Sequence, residues 1–268
     1  MRKIVKEYEI ASRERSDLAL SEDVLLVDEK LSQDPNCGDL WMERGLALAK
    51  QGLYREAADA YSKAIALDPF KGIYYRHRAH RFLSCYRIED ACADFTIASR
   101  LIPLNWDVWY HLGLAHFLLG DYEKAAWAYK RCYELAFTEE NERQITAISN
   151  WYWITLQRLG KTEEAQEILD KITEDMDPGP NIAYFNLLKM YKNIVTPDDL
   201  LKPEAAANKV DFISMGFGIA NYLKHMGDQK RSDEVIDKTL QYGDETGVYF
   251  AFGYIAAMIE KEGRLKGK

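Results

Sequence analysis

The segment WDVWYHLGLAHFLLGDYEKAAWAYKRCYELAF, residues 106–137, decides the fold. Residues spaced three or four positions apart lie on one face of a helix. Two such sets occur here, and Gly120 stands between them as the turn. The segment therefore predicts two helices that pack on each other through these faces: Trp109, Gly113 and His116 on the first; Ala125, Tyr129 and Cys132 on the second.

The same pattern returns at intervals of 34 residues on the N-terminal side. Self-similarity at a fixed period is typical of repeat proteins. The turn position is taken in succession by Gly52, Tyr86 and Gly120. Asp68-Pro69 ends the second helix of its unit, because proline lacks an N–H group and clashes with the preceding turn. The aligned sets are Trp41, Tyr75, Trp109; Gly45, Ala79, Gly113; Ala57, Ala91, Ala125; Tyr61, Phe95, Tyr129; Ala64, Ala98, Cys132.

The pattern resembles the tetratricopeptide repeat (TPR) family, whose signature is W-x2-L-G-x2-Y, then A-x3-F, then P. The clearest match is Trp109-x2-Leu112-Gly113-x2-His116, followed by Ala125-x3-Tyr129. The resemblance is to bacterial-type cytoplasmic members. It implies an all-α fold, a right-handed superhelical solenoid of antiparallel helix pairs, with about six units of which one is strongly degenerate.

Four segments are expected along the chain. They are an N-terminal helix or incomplete repeat (1–37), three regular units (38–137), a fourth unit with an insertion of six residues near 138–145 (138–179), and degenerate units with a capping helix (180–268). Asp177-Pro178-Gly179-Pro180 is the predicted hinge. A helix is expected from Ile182 to Tyr191, and Trp153 stands where earlier units carry Gly or Ala, so packing should differ there.

Composition argues against several classes of function. The net charge of −8 disfavours nucleic-acid binding, which needs a basic surface. We find no apolar run long enough to span a membrane and no secretory signal near Met1, so no membrane association is expected. Four cysteines without a CxxC pair are typical of reduced thiols, which predicts a cytoplasmic protein.

Motifs for catalysis, metals and cofactors are missing, so we expect no enzyme activity, no metal and no cofactor. His77, His80, Cys85 and His111 come near each other in the repeat register but lack the spacing of a metal site. Gly216-Phe217-Gly218 lies in a helical pattern and is interpreted as relieving crowding between helices rather than as a phosphate loop.

In the TPR family, first helices line a concave groove that binds ligands, and the resemblance transfers this role to particular positions. The partner-binding residues it implies are Arg76, His80, Tyr110, Leu114, Phe117, Asn150 and Arg158. Further groove positions include Met42, Leu46, Ile73 and Asp107, Ile154 and Gln157 in the fourth unit, and Phe217, Asn221, Lys224 and His225 in the sixth. The family's carboxylate clamp for chaperone tails is absent, because Met42, Leu46, Asp107 and His111 occupy its positions.

The main prediction is an interaction scaffold or adaptor that binds a protein or peptide with apolar and acidic residues. Each groove residue could instead belong to the framework, with Arg76 paired to an internal acid. One alternative is a sensor that changes curvature at the hinge. Another is a homodimer formed through the apolar C-terminal helix by Phe250, Tyr254 and Met258, which could equally fold back on its own unit.

Overall fold

The structure, a computed structural model, describes residues 19–138 and 142–263. Much of the predicted N-terminal segment (residues 1–18) and the middle of the predicted insertion (139–141) lie outside the described residues. Their assignments stay predictions, as do the segment boundaries at 37, 137 and 179.

The described residues form α-helices joined by short turns. In chain order they are α1 (Glu22–Gln33), α2 (Gly38–Lys50), α3 (Tyr54–Leu67), α4 (Gly72–Ser84), α5 (Ile88–Leu101), α6 (Trp106–Leu118), α7 (Tyr122–Thr138), α8 (Glu142–Arg158), α9 (Thr162–Asp170), α10 (Ile182–Tyr191), α11 (Pro197–Leu200), α12 (Lys209–His225), α13 (Gln229–Thr246) and α14 (Phe252–Lys261). Short 3-10 turns occupy Gly179–Asn181 and Pro203–Ala205. The predicted helix Ile182–Tyr191 is confirmed as α10, and the two prolines that follow reduce the next helix to a single turn.

The chain divides into two compact units after Ala115, inside α6. We refer to residues up to 115 as unit 1 and to the rest as unit 2. In unit 1, neighbouring helices pack in sequence: α1 on α2, α2 on α3, α3 on α4 and α4 on α5. This is the nearest-neighbour packing of a repeat protein, in which each helix pair buries its apolar face against the next.

Large and small residues meet as the repeat pattern predicts. A side chain at Gly45 on α2 would collide with the ring of Tyr61 on α3, so only glycine allows this approach. Each tryptophan of the pattern also has a polar anchor. The indole N–H of Trp41 donates to the Pro35 carbonyl (2.9 Å), and that of Trp109 donates to the Pro103 carbonyl (2.8 Å). The proline that ends one unit therefore orients the aromatic side chain that begins the next.

The turns between paired helices use the left-handed region of backbone conformation. Gly52 has φ 82° and Gly120 has φ 78°, as glycine readily allows. Tyr86 stands at the equivalent place with φ 62°, an uncommon conformation for a residue with a side chain. The repeat imposes the turn on this residue, because the flanking helices must still pair.

In unit 2 the C-terminal helices pack back on the preceding ones. Helix α12 contacts α8 and α10, and α14 packs on α12 and α13. A side chain at Gly216 would collide with Thr239, which confirms that this glycine relieves crowding between α12 and α13. The Phe217 ring lies 5.6 Å from that of Trp151 and 6.2 Å from that of Phe117, and all three are buried.

Helix α14 buries its apolar face within its own unit. Tyr254 is fully buried, its hydroxyl bonds to Asp244, and Met258 is 4% exposed. Phe250 is half-buried at the turn before the helix. This packing corrects the assignment of Tyr254 and Met258 as oligomer contacts, since their side chains are covered by α12 and α13 of the same chain.

Candidate functional site

Helices α2 and α4 of unit 1 are joined by side chains at their N-terminal ends. Asp39 at the start of α2 accepts hydrogen bonds from Lys71 Nζ (2.6 Å) and from the Tyr74 hydroxyl (2.7 Å). Lys71 is the residue just before α4 and Tyr74 lies in its first turn, so these contacts fix the N-terminal ends of α2 and α4 relative to each other.

The surface formed by these helices carries accessible apolar side chains. Leu46 is 42% exposed, whereas Met42 and Ile73 are half-buried. Arg76 and His80 lie on the same face of α4, one turn apart, and both are half-buried. We call this set, Met42, Leu46, Ile73, Arg76 and His80, the α2–α4 face.

Arg76 is tied to an internal acid. Its Nε donates to Oδ2 of Asp107 on α6 at 2.5 Å, and both side chains are 21% exposed. Burial by itself raises the pKa of Asp107, but the charge and hydrogen bonds of His111 and Arg76 outweigh it and hold the pKa well below its usual range. Asp107 is therefore an anion that stabilises the neighbouring cation and lowers its availability to a partner.

The imidazole rings of the two histidines of α4 are shielded from solvent. The rings of His80 and His111 are 4.7 Å apart, and His111 stacks on Phe95 at 5.5 Å. Burial lowers the pKa of His80 well below its usual value, and nearby His111 and Arg81 add to the effect. Burial, with Arg76 alongside, also lowers the pKa of His77 to about 4. His77 and His80 are thus neutral at physiological pH.

The other predicted groove residues of unit 1 belong to its core. Tyr110 is 7% exposed and Leu114 is 0% exposed. Their assignment as partner contacts is corrected, because neither side chain offers surface to a ligand. Arg44 and Arg78 stand at the same position of successive repeats and belong to the framework, because they pair with Asp28 (2.6 Å) and Asp94 (2.6 Å).

In unit 2 the predicted partner-binding residues Phe117 and Asn150 are covered by the chain itself. Phe117 is 0% exposed and lies against Trp151 and Phe217. Asn150 is buried, and its Oδ1 accepts a hydrogen bond from the Tyr191 hydroxyl (2.9 Å). The assignment of both as partner contacts is corrected, since α10 and α12 occupy the space in which a partner would lie.

Arg158 is likewise used within the unit. Its Nη2 donates to Oε2 of Glu260 on α14 (2.8 Å), and its Nε donates to Oδ1 of Asn221 on α12 (3.1 Å). Only 13% of the arginine side chain is exposed. The prediction that Arg158 contacts a protein partner is therefore also corrected, because its guanidinium bonds to two other helices of the same unit.

A cavity of about 230 Å³ opens beside this arginine. Six of its lining residues stand at groove positions of the fourth and sixth repeats, and the seventh is Trp153 in place of a small residue. The register had thus marked these positions, but only the structure shows that they share one space. The lining residues are Trp153, Ile154, Gln157, Arg158, Asn221, Lys224 and His225.

The predicted hinge is tied at both ends. Arg143 donates to Asp177 (2.7 Å), and the Asn181 amide donates to the Arg143 carbonyl (2.7 Å).

The described residues hold no cluster of three or more His, Cys, Asp or Glu side chains arranged for a metal. Within residues 19–138 and 142–263, none of the helices has the length and apolar character needed to cross a membrane.

Comparison with known proteins gives two family matches, both described as tetratricopeptide repeat, at residues 38–71 and 87–136. The chain is 39% identical over 100 residues to the Hsp70-Hsp90 organizing protein of Triticum aestivum, covering 37% of this chain and 17% of that protein. It is 32% identical over 143 residues to the heat-shock protein cognate co-chaperone sgt12 of Aspergillus fumigatus, covering 53% of this chain and 40% of that protein. The chain thus spans less than half the length of these curated relatives.

Two solved structures share the fold. The crystal structure of YrrB, described as a TPR protein with an unusual peptide-binding site, aligns with a TM-score of 0.53 at 15% identity over 91% of this chain and 100% of that one. The crystal structure of MamA aligns with a TM-score of 0.50 at 19% identity over 72% and 95% of the two chains. The repeat register, the paired helices and these matches together confirm the all-α TPR solenoid class, and the chain carries tetratricopeptide repeats at residues 38–71 and 87–136.

Proposed function

We propose that the protein is an adaptor that binds a segment of a partner protein on the α2–α4 face of unit 1. The observation that carries this proposal is the exposed Leu46, one helical turn from half-buried Met42 on α2, with half-buried Ile73 on α4 and the two helices joined by Asp39. Exposed apolar side chains on a rigid frame suit the apolar face of an amphipathic helix or an extended peptide. The names of the two curated relatives, an Hsp70-Hsp90 organizing protein and a co-chaperone, support a binding role rather than catalysis.

The chemistry of this face favours apolar contacts over charged ones. Arg76 would bind an acidic residue of the partner only by sharing its guanidinium with Asp107. Lys71 is already paired with Asp39 at the edge of the face. An acidic residue in the partner therefore adds selectivity, whereas the burial of Leu46 and its neighbours supplies most of the binding free energy.

The partner differs from chaperone tails that end in a clamped carboxylate. Met42 and Leu46 supply no charged or amide donor, and Asp107 places a negative charge where the clamp needs a cation.

The adaptor role is proposed for the cytoplasm, where cysteines remain reduced. All four cysteines lie in the described residues and none forms a disulfide.

A matched pair of surface variants tests the proposal. Leu46→Glu places a charge on the α2–α4 face, whereas Ile97→Glu places the same charge on α5 at the same exposure, 42%. Each new glutamate has a basic residue three or four positions later, Arg100 or Lys50, so both helices tolerate it equally. Circular dichroism spectra should match the parent protein.

The purified chain and both variants are immobilised and exposed to lysate of the source cells, and bound proteins are quantified by mass spectrometry. We expect a set of proteins that Ile97→Glu retains and Leu46→Glu loses by at least about tenfold, since burying a charge without a partner is unfavourable. Equal recovery on both variants would remove the α2–α4 face from consideration as the binding surface.

A further inference from the structure

We propose that the cavity between α8 and α12 in unit 2 binds a small organic acid, a single carboxylate joined to a flat or apolar body. This site is separate from the α2–α4 face and goes beyond the proposed adaptor function. It rests on three features of the lining residues: a net positive charge with unused donors, an aromatic wall, and a buried acceptor without a partner.

The charge of the site suits one negative group. Arg158 and Lys224 line the cavity and share the carboxylate of Glu260, at 2.8 Å from Nη2 and 2.5 Å from Nζ. With histidine counted as neutral, two cations and one anion leave a charge of one positive unit. A monocarboxylate would balance this charge, whereas a phosphate dianion would exceed it.

Lys224 has hydrogen-bonding capacity for such a ligand. An ammonium group carries three donors, and within the described residues that of Lys224 bonds only to Glu260. The side chain is 31% exposed, so a ligand entering the cavity can reach it. A carboxylate placed here would bind the same cation as Glu260 from the other side, in a charge-assisted hydrogen bond.

The aromatic wall explains why the ligand should have a flat or apolar body. Trp153 is 3% exposed, its ring is stacked on Tyr191 at 3.8 Å, and the His225 ring meets it edge-on at 5.7 Å. This packing holds the indole rigid, and Ile154 adds a further apolar wall. A rigid apolar wall with a few polar groups is typical of small-molecule sites.

The side-chain amide of Gln157 carries a hydrogen-bonding group that has no partner among the described residues. Its Oε1 is buried and has no hydrogen-bond partner in the structure. A buried acceptor left unpaired is unfavourable, and turning the side-chain amide would place its NH2 group there, where it can donate to the carboxylate of the ligand. The cavity volume of about 230 Å³ lies below the range usual for drug-sized ligands, which limits the occupant to a small acid or to one terminal residue of a peptide.

The test uses benzoate as the probe and benzamide as its neutral counterpart. Both are titrated into the full chain by isothermal calorimetry, with tryptophan fluorescence as a second readout. We expect benzoate to bind at least about tenfold more tightly than benzamide, because only the carboxylate gains the charge-assisted bond. Equal affinity for the two probes, or no detectable benzoate binding, would overturn the proposal.

Three variants make the test specific. Lys224→Met should weaken benzoate binding about fivefold to tenfold, whereas Lys238→Met, at an exposed lysine of α13, should leave it unchanged. Glu260→Gln removes the competing carboxylate and should strengthen benzoate binding, although loss of its ion pairs lowers stability. A merely structural Glu260 predicts the opposite, weaker binding, and that result would also overturn the proposal.

A final comparison separates the two sources of the carboxylate. The pentapeptide Ala-Ala-Ala-Ala-Phe with a free C-terminus is titrated beside its C-terminal amide and beside benzoate. Tighter binding of the free peptide than of benzoate would assign the site to a peptide terminus, and tighter binding of benzoate would assign it to a free acid. If both peptides bind measurably and with equal affinity, carboxylate recognition is contradicted.

Discussion

Arg76 on α4 and Asp107 on α6 form a half-buried ion pair, with Nε 2.5 Å from Oδ2. Asp39 stands at the same repeat position two units earlier and pairs with Lys71. Lys71 directly precedes α4 and Arg76 lies within it, so the two aspartates tie their own helices, α2 and α6, to α4. The arginine that the family resemblance assigns to a ligand is therefore first of all a residue of the framework.

Replacing Arg76 tests this role. We expect Arg76→Met to lower the free energy of unfolding by about 2–3 kcal/mol, because Asp107 would keep its charge in a half-buried place without its arginine partner. Urea denaturation of the variant measures the loss. In Arg76→Met/Asp107→Leu the orphaned charge is gone, so much of the stability should return. Additive losses in the double variant would show that the pair is not coupled.

Tyr86 offers a stabilising substitution. Its φ of 62° is unfavourable for a residue with a side chain, whereas Gly52 and Gly120 meet the same demand without strain. We expect Tyr86→Gly to raise the free energy of unfolding by about 0.5–1 kcal/mol. Thermal unfolding would show the gain as a higher Tm.

The control for this change is Gly160→Ala. Gly160 has φ 71° and a side chain there would meet nothing within 4 Å, so the substitution tests the backbone alone. It should lower stability by about 1 kcal/mol. A Tyr86→Gly protein less stable than the parent would mean that the contacts of the tyrosine ring outweigh its backbone strain.

Phe117 distinguishes core from binding surface. Because its ring is fully buried among Trp151 and Phe217, Phe117→Ala should cost about 3–5 kcal/mol of stability. Leu46→Ala, on the exposed α2–α4 face, should change stability by less than about 0.5 kcal/mol. If Phe117→Ala unfolded at the same urea concentration as the parent protein, its ring would not be part of the core.

The histidines of α4 predict a loss of stability in mild acid. Folded His77 takes up a proton near pH 4, whereas an unfolded histidine does so near pH 6.5, so the unfolded state binds more protons between these values. The stability from neutral His77 is therefore complete above about pH 6.5 and is lost as the pH falls toward 4. The lowered pKa of His80 acts in the same direction.

His77→Gln should reduce this acid sensitivity without abolishing it, since His80 remains. The Tm of the parent and of the variant is measured from pH 7.5 to pH 4.5. We expect the parent to lose more of its Tm over this range than the variant does. Parallel curves would mean that His77 is not desolvated in the folded protein.

Local pattern was sufficient for much of the architecture. The interval of 34 residues located the paired helices, the turn at Gly52 and its counterparts, and the small residue at Gly45 that faces Tyr61. These features depend on residues within one or two repeats, where periodicity and close packing act directly on the sequence. The same register also marked most positions that line the cavity of unit 2.

The sequence by itself therefore determined the repeat, the helix pairs and the TPR signature. Only the tertiary structure decided which first-helix positions remain accessible. Arg158 meets Glu260 from 102 residues away, and Phe117 is covered by Phe217 of a degenerate repeat. Helical periodicity tells which side chains share a face, but burial of that face depends on distant elements whose packing leaves no regular spacing in the chain.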